Sequence, residues 1–131
     1  MKRIMSFVFV LVVLIAMLST VAFADESDIC LNAKTTGVYK LATHYGYFEV
    51  PYGTVVGYGN VTSGTPVKAA QGSLKTVYTE SRKLVPCDPG DVDGAFGQNT
   101  YNAIYNFQVF YGLDPDGRAG DNTFSKLQNL L

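Results

Sequence analysis

The 131-residue chain carries ten Lys and Arg against eleven Asp and Glu, with one His, two Cys and no Trp. Its length suits a targeting segment followed by one small domain. Its weak acidity argues against nucleic-acid binding, which requires a concentrated basic face. A single His argues against a hydrolytic zinc centre, because such centres typically use several His ligands.

Residues 1–24 have the pattern of an export signal. A basic pair at positions 2 and 3 precedes an apolar run from Phe7 to Leu18, and Ala-Phe-Ala at 22–24 supplies small residues at the two cleavage-site positions. The run is shorter than the roughly 20 apolar residues of a permanent membrane helix. We therefore expect a secreted, extracellular protein that begins at Asp25, has 107 residues and carries a net charge of −3.

The two cysteines, Cys30 and Cys87, predict one structural disulfide in an exported chain. The bond would close a loop of more than 50 residues, which the chain-entropy model values at about 4 kcal/mol. The alternative is a nucleophilic thiol, which would need a neighbouring His. His44 is the chain's one His, and it lies in a Tyr-rich segment with no recognisable base arrangement.

Residues 31–64 are rich in Gly, Thr, Tyr and Val, a composition that favours strands and irregular structure. Alternation over Tyr45–Val50, followed by the turn signal Pro51-Tyr52-Gly53, predicts a hairpin near 44–58. Its tyrosines suit either of two roles, a platform for sugar rings or packing onto helices with each hydroxyl in water. We favour packing for most of them.

The first helix is predicted to begin at Thr65-Pro66, because Thr is a good cap and Pro fits the first helical position. Val67, Ala70, Leu74, Val77 and Tyr78 then share one face at helical spacing. Gly72 lies inside this helix and costs about 1 kcal/mol relative to Ala.

A turn motif occurs twice near the end of the chain. Residues 93–100 (DGAFGQNT, the first motif) and 116–123 (DGRAGDNT, the second motif) share Asp, Gly, Gly, Asn and Thr at the same offsets. Asp-Gly favours a tight turn, and the second Gly of each motif fits a helix N-cap. Oxygens of the following Asn, Asp and Thr are expected to accept hydrogen bonds from free N–H groups of the first turn. Each motif precedes a segment with helical apolar spacing, which predicts two further helices.

These motifs resemble the peptidoglycan-binding domain family, small three-helix modules found beside bacterial wall hydrolases. The residues that carry the resemblance are Asp93, Gly94, Phe96, Gly97, Thr100, Ala103, Ile104, Phe107, Gln108, Gly112, Leu113, Asp116, Gly117, Gly120, Thr123 and Leu127. The resemblance implies a mainly α fold, a three-helix bundle over 65–131. A short β-rich extension over 25–64 would be pinned to this bundle by the Cys30–Cys87 disulfide.

The resemblance also implies a secreted, monomeric, wall-associated module that binds peptidoglycan without catalysis and without a cofactor or metal. Its groove would lie beside the second and third helices, and the candidate binding residues are Gln98, Asn99, Tyr101, Gln108, Tyr111 and Arg118. The planar guanidinium of Arg118 suits a peptide carboxylate, unless it pairs with Asp116 or Asp121. Gln108 has a second possible role as a buried amide that satisfies loop backbone.

Three alternatives stay open. The duplicated Asp-Gly motif is similar to calcium-binding dockerin modules, but both copies lack the first ligand and the bidentate Glu. A minimal wall hydrolase would use Glu49 and Glu80, which nothing in the sequence brings together. Third, the chain could be an interaction or inhibitor module that contacts a cell-wall enzyme through its Tyr-rich hairpin, since aromatic residues also suit protein interfaces.

Overall fold

Two antiparallel strands precede three α-helices in the computed structural model, which describes residues 37–131. The elements are β1 (Val38–Thr43), β2 (Gly46–Pro51), α1 (Thr65–Glu80), α2 (Gln98–Phe110) and α3 (Asp121–Leu130). The expected mainly helical fold with a small β extension is confirmed. The predicted export signal lies outside the described residues, and within 37–131 no helix is long and apolar enough to span a membrane.

The hairpin begins earlier than predicted. β1 pairs with β2 in a register that runs from Val38 opposite Pro51 to Thr43 opposite Gly46. The predicted boundaries near 44–58 are therefore wrong, because the segment assigned to the first strand is the second. Residues 44 and 45 form the turn, and Gly46 takes a φ of 127° there, a conformation that a residue with a Cβ rarely adopts.

Side chains alternate along β1 because successive residues of a strand point to opposite faces. Tyr39 and Leu41 are buried, whereas Lys40 and Ala42 are exposed. The buried face packs on α1 and α3. The Tyr39 hydroxyl donates to Asp121 Oδ1 at 2.8 Å. The hairpin is thus fastened to the start of α3.

Helix α1 begins at Thr65, with Pro66 in its first turn as predicted. The N-cap is Gly64, which has a φ of 94°, so the assignment of Thr65 as the cap was wrong by one residue. Val67, Ala70, Leu74 and Val77 are buried along one face, and this confirms the predicted apolar stripe.

Gly72 allows the hairpin to approach α1 closely. A Cβ on Gly72 would lie 3.3 Å from Thr43 Oγ1 and 3.5 Å from both Phe48 Cε2 and Tyr45 Cβ. A larger side chain here would push the hairpin away. The helical glycine therefore serves close packing, which accounts for its unfavourable helix propensity.

The predicted Cys30–Cys87 disulfide is not formed in the structure, because Cys87 is a free thiol; Cys30 lies outside the described residues. Cys87 is fully buried, and its Sγ donates to the carbonyl oxygen of Leu74 at 3.3 Å. Burial raises the pKa of the thiol to about 12, so the reactive thiolate is scarce at neutral pH. The loop between α1 and α2 is held by this packing and by the Lys75–Asp88 ion pair at 2.7 Å.

Candidate functional site

A buried glutamine organises the first motif. Gln71 Nε2 donates to Asp93 Oδ1 at 3.1 Å, to the Ala95 carbonyl at 3.0 Å and to Thr100 Oγ1 at 3.1 Å. Its Oε1 accepts from the Gly94 N–H at 2.8 Å. The turn and the first residues of α2 are therefore held together by one side chain from α1.

Gln108 makes the matching contacts with the second motif. Its Nε2 donates to Asp116 Oδ1 at 3.0 Å, to the Arg118 carbonyl at 2.7 Å and to Thr123 Oγ1 at 3.1 Å. Its Oε1 accepts from the backbone N–H groups of Asp116 at 3.1 Å and Gly117 at 2.9 Å. Only 2% of the Gln108 surface is exposed. Gln108 therefore has the second role considered for it, that of a buried amide that satisfies loop backbone, and it is not available to a ligand.

The two motifs cap their helices through glycine, as predicted. Gly97 is the N-cap of α2 and Gly120 the N-cap of α3. Glycine has no side chain that could cap a helix, so neither N-cap residue makes a side-chain hydrogen bond. The hydroxyls of Thr100 and Thr123 accept from the two glutamines instead.

A surface cavity of about 230 Å³ opens at the first motif. It is lined by Gln71, Pro89, Asp91, Asp93, Ala95, Gly97, Gln98, Asn99 and Thr100. The Ala95 N–H, and next the Gln71 amide, lower the pKa of Asp93, so this carboxylate is charged at neutral pH. Among the described residues, ion pairs join only His44 to Glu80 and Lys75 to Asp88. The two carboxylates of the cavity, Asp91 and Asp93, are in neither ion pair and lie beside three side-chain amides.

An aromatic strip, formed by Tyr58, Phe96, Tyr101 and Tyr105, adjoins this cavity. The Tyr58 ring lies 4.9 Å from Phe96 and 6.0 Å from Tyr101, and Tyr101 lies 6.3 Å from Tyr105 in a stacked arrangement. Tyr58 is 47% and Tyr105 40% exposed. Since residues three apart on a helix are neighbours, Tyr101 lies next to Gln98 at the edge of the cavity.

Two glycines fix the position of the strip and of Arg118. A Cβ on Gly117 would collide with Tyr101 Cε2, so the tyrosine ring packs directly on the glycine backbone. A Cβ on Gly57 would lie 2.8 Å from Arg118 Cγ. Arg118 is exposed, and its predicted alternative, an ion pair with Asp116 or Asp121, is not found within the described part of the chain. The guanidinium is thus available beside the strip.

The structure places four of the six candidate residues on one side of the molecule. Gln98 and Asn99 line the cavity, Tyr101 belongs to the strip, and Arg118 follows the glycine on which Tyr101 packs. Tyr111 lies about 15 Å farther along α2, from ten residues at about 1.5 Å each. Its ring packs 4.8 Å from Phe107 and lies 4.9 Å from Lys126 Nζ. Tyr111 therefore belongs to the other end of the helix.

Several residues of this surface were not identified from the sequence. Tyr105 follows Tyr101 by one helical turn, a spacing that could have identified it. Asp91 and Asp93 were treated as possible calcium ligands or turn residues, and Asp93 does accept from the Ala95 N–H at 3.0 Å. Tyr58 was one of the tyrosines considered as a platform for sugar rings, but only tertiary structure brings it to Tyr101 of α2.

Most of this surface lies in a region that matches a known protein family. The family described as "Putative peptidoglycan binding domain" matches residues 63–127. Those residues include α1, α2, the cavity and most of α3. Residues 63–127 belong to this family. The peptidoglycan-binding domain thus carries the cavity and three of the four residues of the strip, whereas Tyr58 and the hairpin precede it.

Two relatives of this chain are longer proteins, and only a small region of each matches this chain. The N-acetylmuramoyl-L-alanine amidase CwlL of Bacillus licheniformis is 32% identical over 84 residues, which are 64% of this chain and 23% of the amidase. The zinc D-Ala-D-Ala carboxypeptidase of Streptomyces albus G is 49% identical over 39 residues, which are 30% of this chain and 15% of that enzyme. The chain therefore spans less than a quarter of either enzyme.

A solved structure also resembles this chain. It is a peptidoglycan-binding protein from Clostridioides difficile in complex with glutamine hydroxamate, with 36% identity and a TM-score of 0.53. The alignment covers 64% of this chain and 46% of that one. The similarity in sequence and fold agrees with the family assignment.

Proposed function

We propose that this chain is a secreted, non-catalytic module that binds cell-wall peptidoglycan through the exposed face of α2. The observation that carries the proposal is the aromatic strip, which stays exposed beside an open cavity within the peptidoglycan-binding domain. Relatives named as an amidase and as a D-Ala-D-Ala carboxypeptidase support a ligand from the wall. The protein would act outside the cell or on the wall as a monomer.

The chemistry of the surface suits an amphiphilic polymer of sugars and peptides. Tyrosine rings combine apolar faces with a polar hydroxyl, so they bind partly polar ligands at a small cost in conformational entropy. Gln98 and Asn99 offer amide donors and acceptors at the cavity. The planar guanidinium of Arg118 can hold a carboxylate by two parallel hydrogen bonds.

The environment of the glutamates supports binding rather than catalysis. Glu80 Oε1 lies 2.7 Å from His44 Nε2, with 66% of its side chain exposed. Glu49 Oε1 accepts from the exposed Tyr47 hydroxyl at 3.2 Å. A glycosidase acid needs an apolar pocket that raises its pKa, and these solvated carboxylates have no such surroundings.

Co-sedimentation with purified, protein-free peptidoglycan tests this function. We expect saturable binding, and Tyr101→Ala and Arg118→Ala should each weaken it about three- to tenfold, since contacts of these kinds contribute about 0.5–1.5 kcal/mol. Tyr47→Ala removes an exposed tyrosine of the hairpin and is the matched control. Thermal melting of each variant confirms folding. No binding to several wall types at low salt would contradict the proposal.

A second candidate function is interaction with a cell-wall enzyme through the hairpin. Tyr45 and Tyr47 are 46% and 59% exposed, and both lie outside the peptidoglycan-binding domain. Aromatic residues are enriched at protein interfaces. If the function is of this kind, a pull-down recovers one defined wall enzyme, Tyr47→Ala abolishes the capture, and the protein fails to sediment with peptidoglycan.

A further inference from the structure

The second motif is covered by the chain's own backbone. The Gly53 N–H donates to Asp121 Oδ1 at 2.8 Å, and Val55 Cγ2 lies 4.0 Å from the position of a Cβ on Gly120. Val56 then exchanges two backbone hydrogen bonds with Ala119, at 2.9 and 2.8 Å. Residues 53–56 therefore lie along the start of α3, with Gly53 in a turn (φ 83°) and Val56 in a bridge with Ala119.

The first motif forms similar backbone hydrogen bonds with the preceding chain, but the start of its helix is not covered in the same way. Gly64 N–H donates to the Gly94 carbonyl and Phe96 N–H to the Thr62 carbonyl, both at 2.9 Å. Before Thr62 the chain turns away, because Val61 pairs with Val56 instead. A Cβ on Gly97, the counterpart of Gly120, would meet no atom within 4 Å. The cavity lies at this uncovered position.

We propose that this cavity binds the stem peptide of peptidoglycan rather than its glycan strand, in the manner in which the second motif holds residues 53–55. The proposal rests on the function proposed above and names the part of the polymer that the site recognises. The bound peptide takes the place at α2 that the chain's own backbone takes at α3.

The groups that line the cavity match a peptide. In the second motif a side-chain oxygen, Asp121 Oδ1, accepts from a backbone N–H. The counterpart at the cavity is Gln98, whose Oε1 is an acceptor of the same kind, because its Nε2 donates to Asn102 Oδ1 at 3.0 Å. Asp91 and Asp93 favour a donor-rich ligand, such as a peptide with a free amino group on a diamino acid.

Glycan strands would form few favourable contacts with the residues that line the cavity. A neutral sugar offers hydroxyl donors but no positive charge to match the two carboxylates, and muramic acid that retains its own carboxylate would be repelled by them. The stem peptide supplies successive backbone N–H groups and, when it is not cross-linked, an amine. The amine is the group of the stem peptide that suits the acidic lining, and its carboxylates suit Arg118 beside the strip.

The test uses a synthetic pentapeptide with the composition of a peptidoglycan stem, titrated into the full protein by calorimetry. We expect binding that Gln98→Lys weakens at least about tenfold, because a cation would replace the acceptor. Gly97→Val should have a similar effect by filling the cavity, and the extended backbone of Gly97 (φ −138°) tolerates a side chain. Asn106→Lys adds the same charge at an exposed position of α2 outside the cavity lining and should leave binding unchanged.

A parallel sedimentation experiment separates failure of this inference from failure of the proposed function. Intact peptidoglycan is compared with glycan strands from which an amidase has removed the stem peptides. Binding to intact material alone, together with binding of the pentapeptide, supports the inference. Equal binding to both polymers with no affinity for the pentapeptide overturns the inference and keeps the function. Binding to neither polymer overturns the function, and the pentapeptide titration then still decides whether the cavity accepts a peptide.

Discussion

Gln71 and Gln108 set the geometry of the proposed binding surface although both are buried. Gln108 holds the turn that presents Gly117 beneath Tyr101 and places Arg118 beside the strip. Gln71 fixes the turn that opens the cavity. Because a buried amide with satisfied hydrogen bonds resists displacement, each glutamine gives the surface a single arrangement.

Replacement of Gln108 by Leu should lower the free energy of unfolding by about 2–4 kcal/mol. The apolar side chain would leave the Gly117 N–H without its acceptor and the Arg118 carbonyl without its donor, and each unsatisfied buried group costs about 1–3 kcal/mol. Urea denaturation measures the loss. Gln98→Leu, an exposed position on the same helix, should change stability by less than about 0.5 kcal/mol. Equal effects of the two substitutions would contradict a structural role for Gln108.

Protonation of Asp93 should destabilise the fold in acid. Hydrogen bonds from the Ala95 N–H and from Gln71 hold the pKa of Asp93 below its usual value. As pH falls below about 4, the unfolded chain takes up the proton first, so this contribution to stability is lost as pH falls through the folded-state pKa.

The pH dependence of thermal melting below about pH 4 tests this expectation. Asp93→Asn should flatten the dependence, because the amide keeps an acceptor oxygen but does not titrate. Asp114→Asn removes the same charge outside the hydrogen bonds of Asp93 and serves as the matched control. If Asp93→Asn and the unmodified protein lose stability equally in acid, the assigned hydrogen bonds do not hold the carboxylate.

The thiol of Cys87 should be inert in the native protein. With its pKa raised to about 12 by burial, it should react with a disulfide reagent only after denaturation. Cys30→Ser leaves Cys87 as the one cysteine and should melt close to the unmodified protein. Loss of a native disulfide would instead cost about 2–5 kcal/mol. A large drop in melting temperature, with no titratable thiol in the denatured unmodified protein, would establish the bond that the structure does not contain.

The close approach of the hairpin to α1 depends on one helical glycine. The tip residues Thr43 and Tyr45 and the ring of Phe48 contact the space where a Cβ of Gly72 would lie. The Thr76 hydroxyl extends this contact by accepting from the His44 N–H at 3.1 Å. The hairpin is therefore anchored on α1 as well as on α3.

Gly72→Leu should displace the hairpin and lower the free energy of unfolding by about 1–3 kcal/mol, the usual cost of overpacking. The tyrosine signal in near-ultraviolet circular dichroism reports the displacement, and denaturant unfolding reports the loss. Lys68→Leu places the same side chain at an exposed position of α1 and should have little effect. If Gly72→Leu increases stability through helix propensity alone, the hairpin does not pack as described.

The helices could be predicted from the sequence, whereas the hairpin could be predicted only in part. Each helix begins near a local signal, either Pro66 in a first turn or a glycine cap after an Asp-Gly turn. β1 offers only a short alternation, Tyr39 and Leu41 against Lys40 and Ala42, in a strand of six residues. Its position depends on long-range contacts, such as that between Tyr39 and Asp121.

At the largest scale, that of residues 37–131, the hairpin and the proposed binding surface have separate places. The hairpin covers α1 and α3 and fastens to the start of α3. The face of α2 that carries Tyr101 and Tyr105 stays exposed, together with the cavity at its first turn. Both motifs offer similar helix starts, but residues 53–56 cover the second one and leave the first uncovered.

The dependence of this surface on tertiary contacts limits what the sequence could predict about the site. Gln98, Asn99 and Tyr101 were identified because they follow a recognisable cap on one helix. Tyr58 joins them only through the fold, and burial of Gln108 depends on the turn closing around it. Residue type and spacing therefore located the helix that carries the surface but not the surface itself.

The measurement that tests the central claim most directly is amide chemical-shift mapping of the isotope-labelled protein during titration with soluble peptidoglycan fragments. The account predicts that perturbed amides cluster at the first turns of α2 and around Tyr101, Tyr105 and Arg118, while those of β1 and β2 stay in place. Perturbations confined to the hairpin, or none at saturating fragment concentration, would contradict binding through the face of α2.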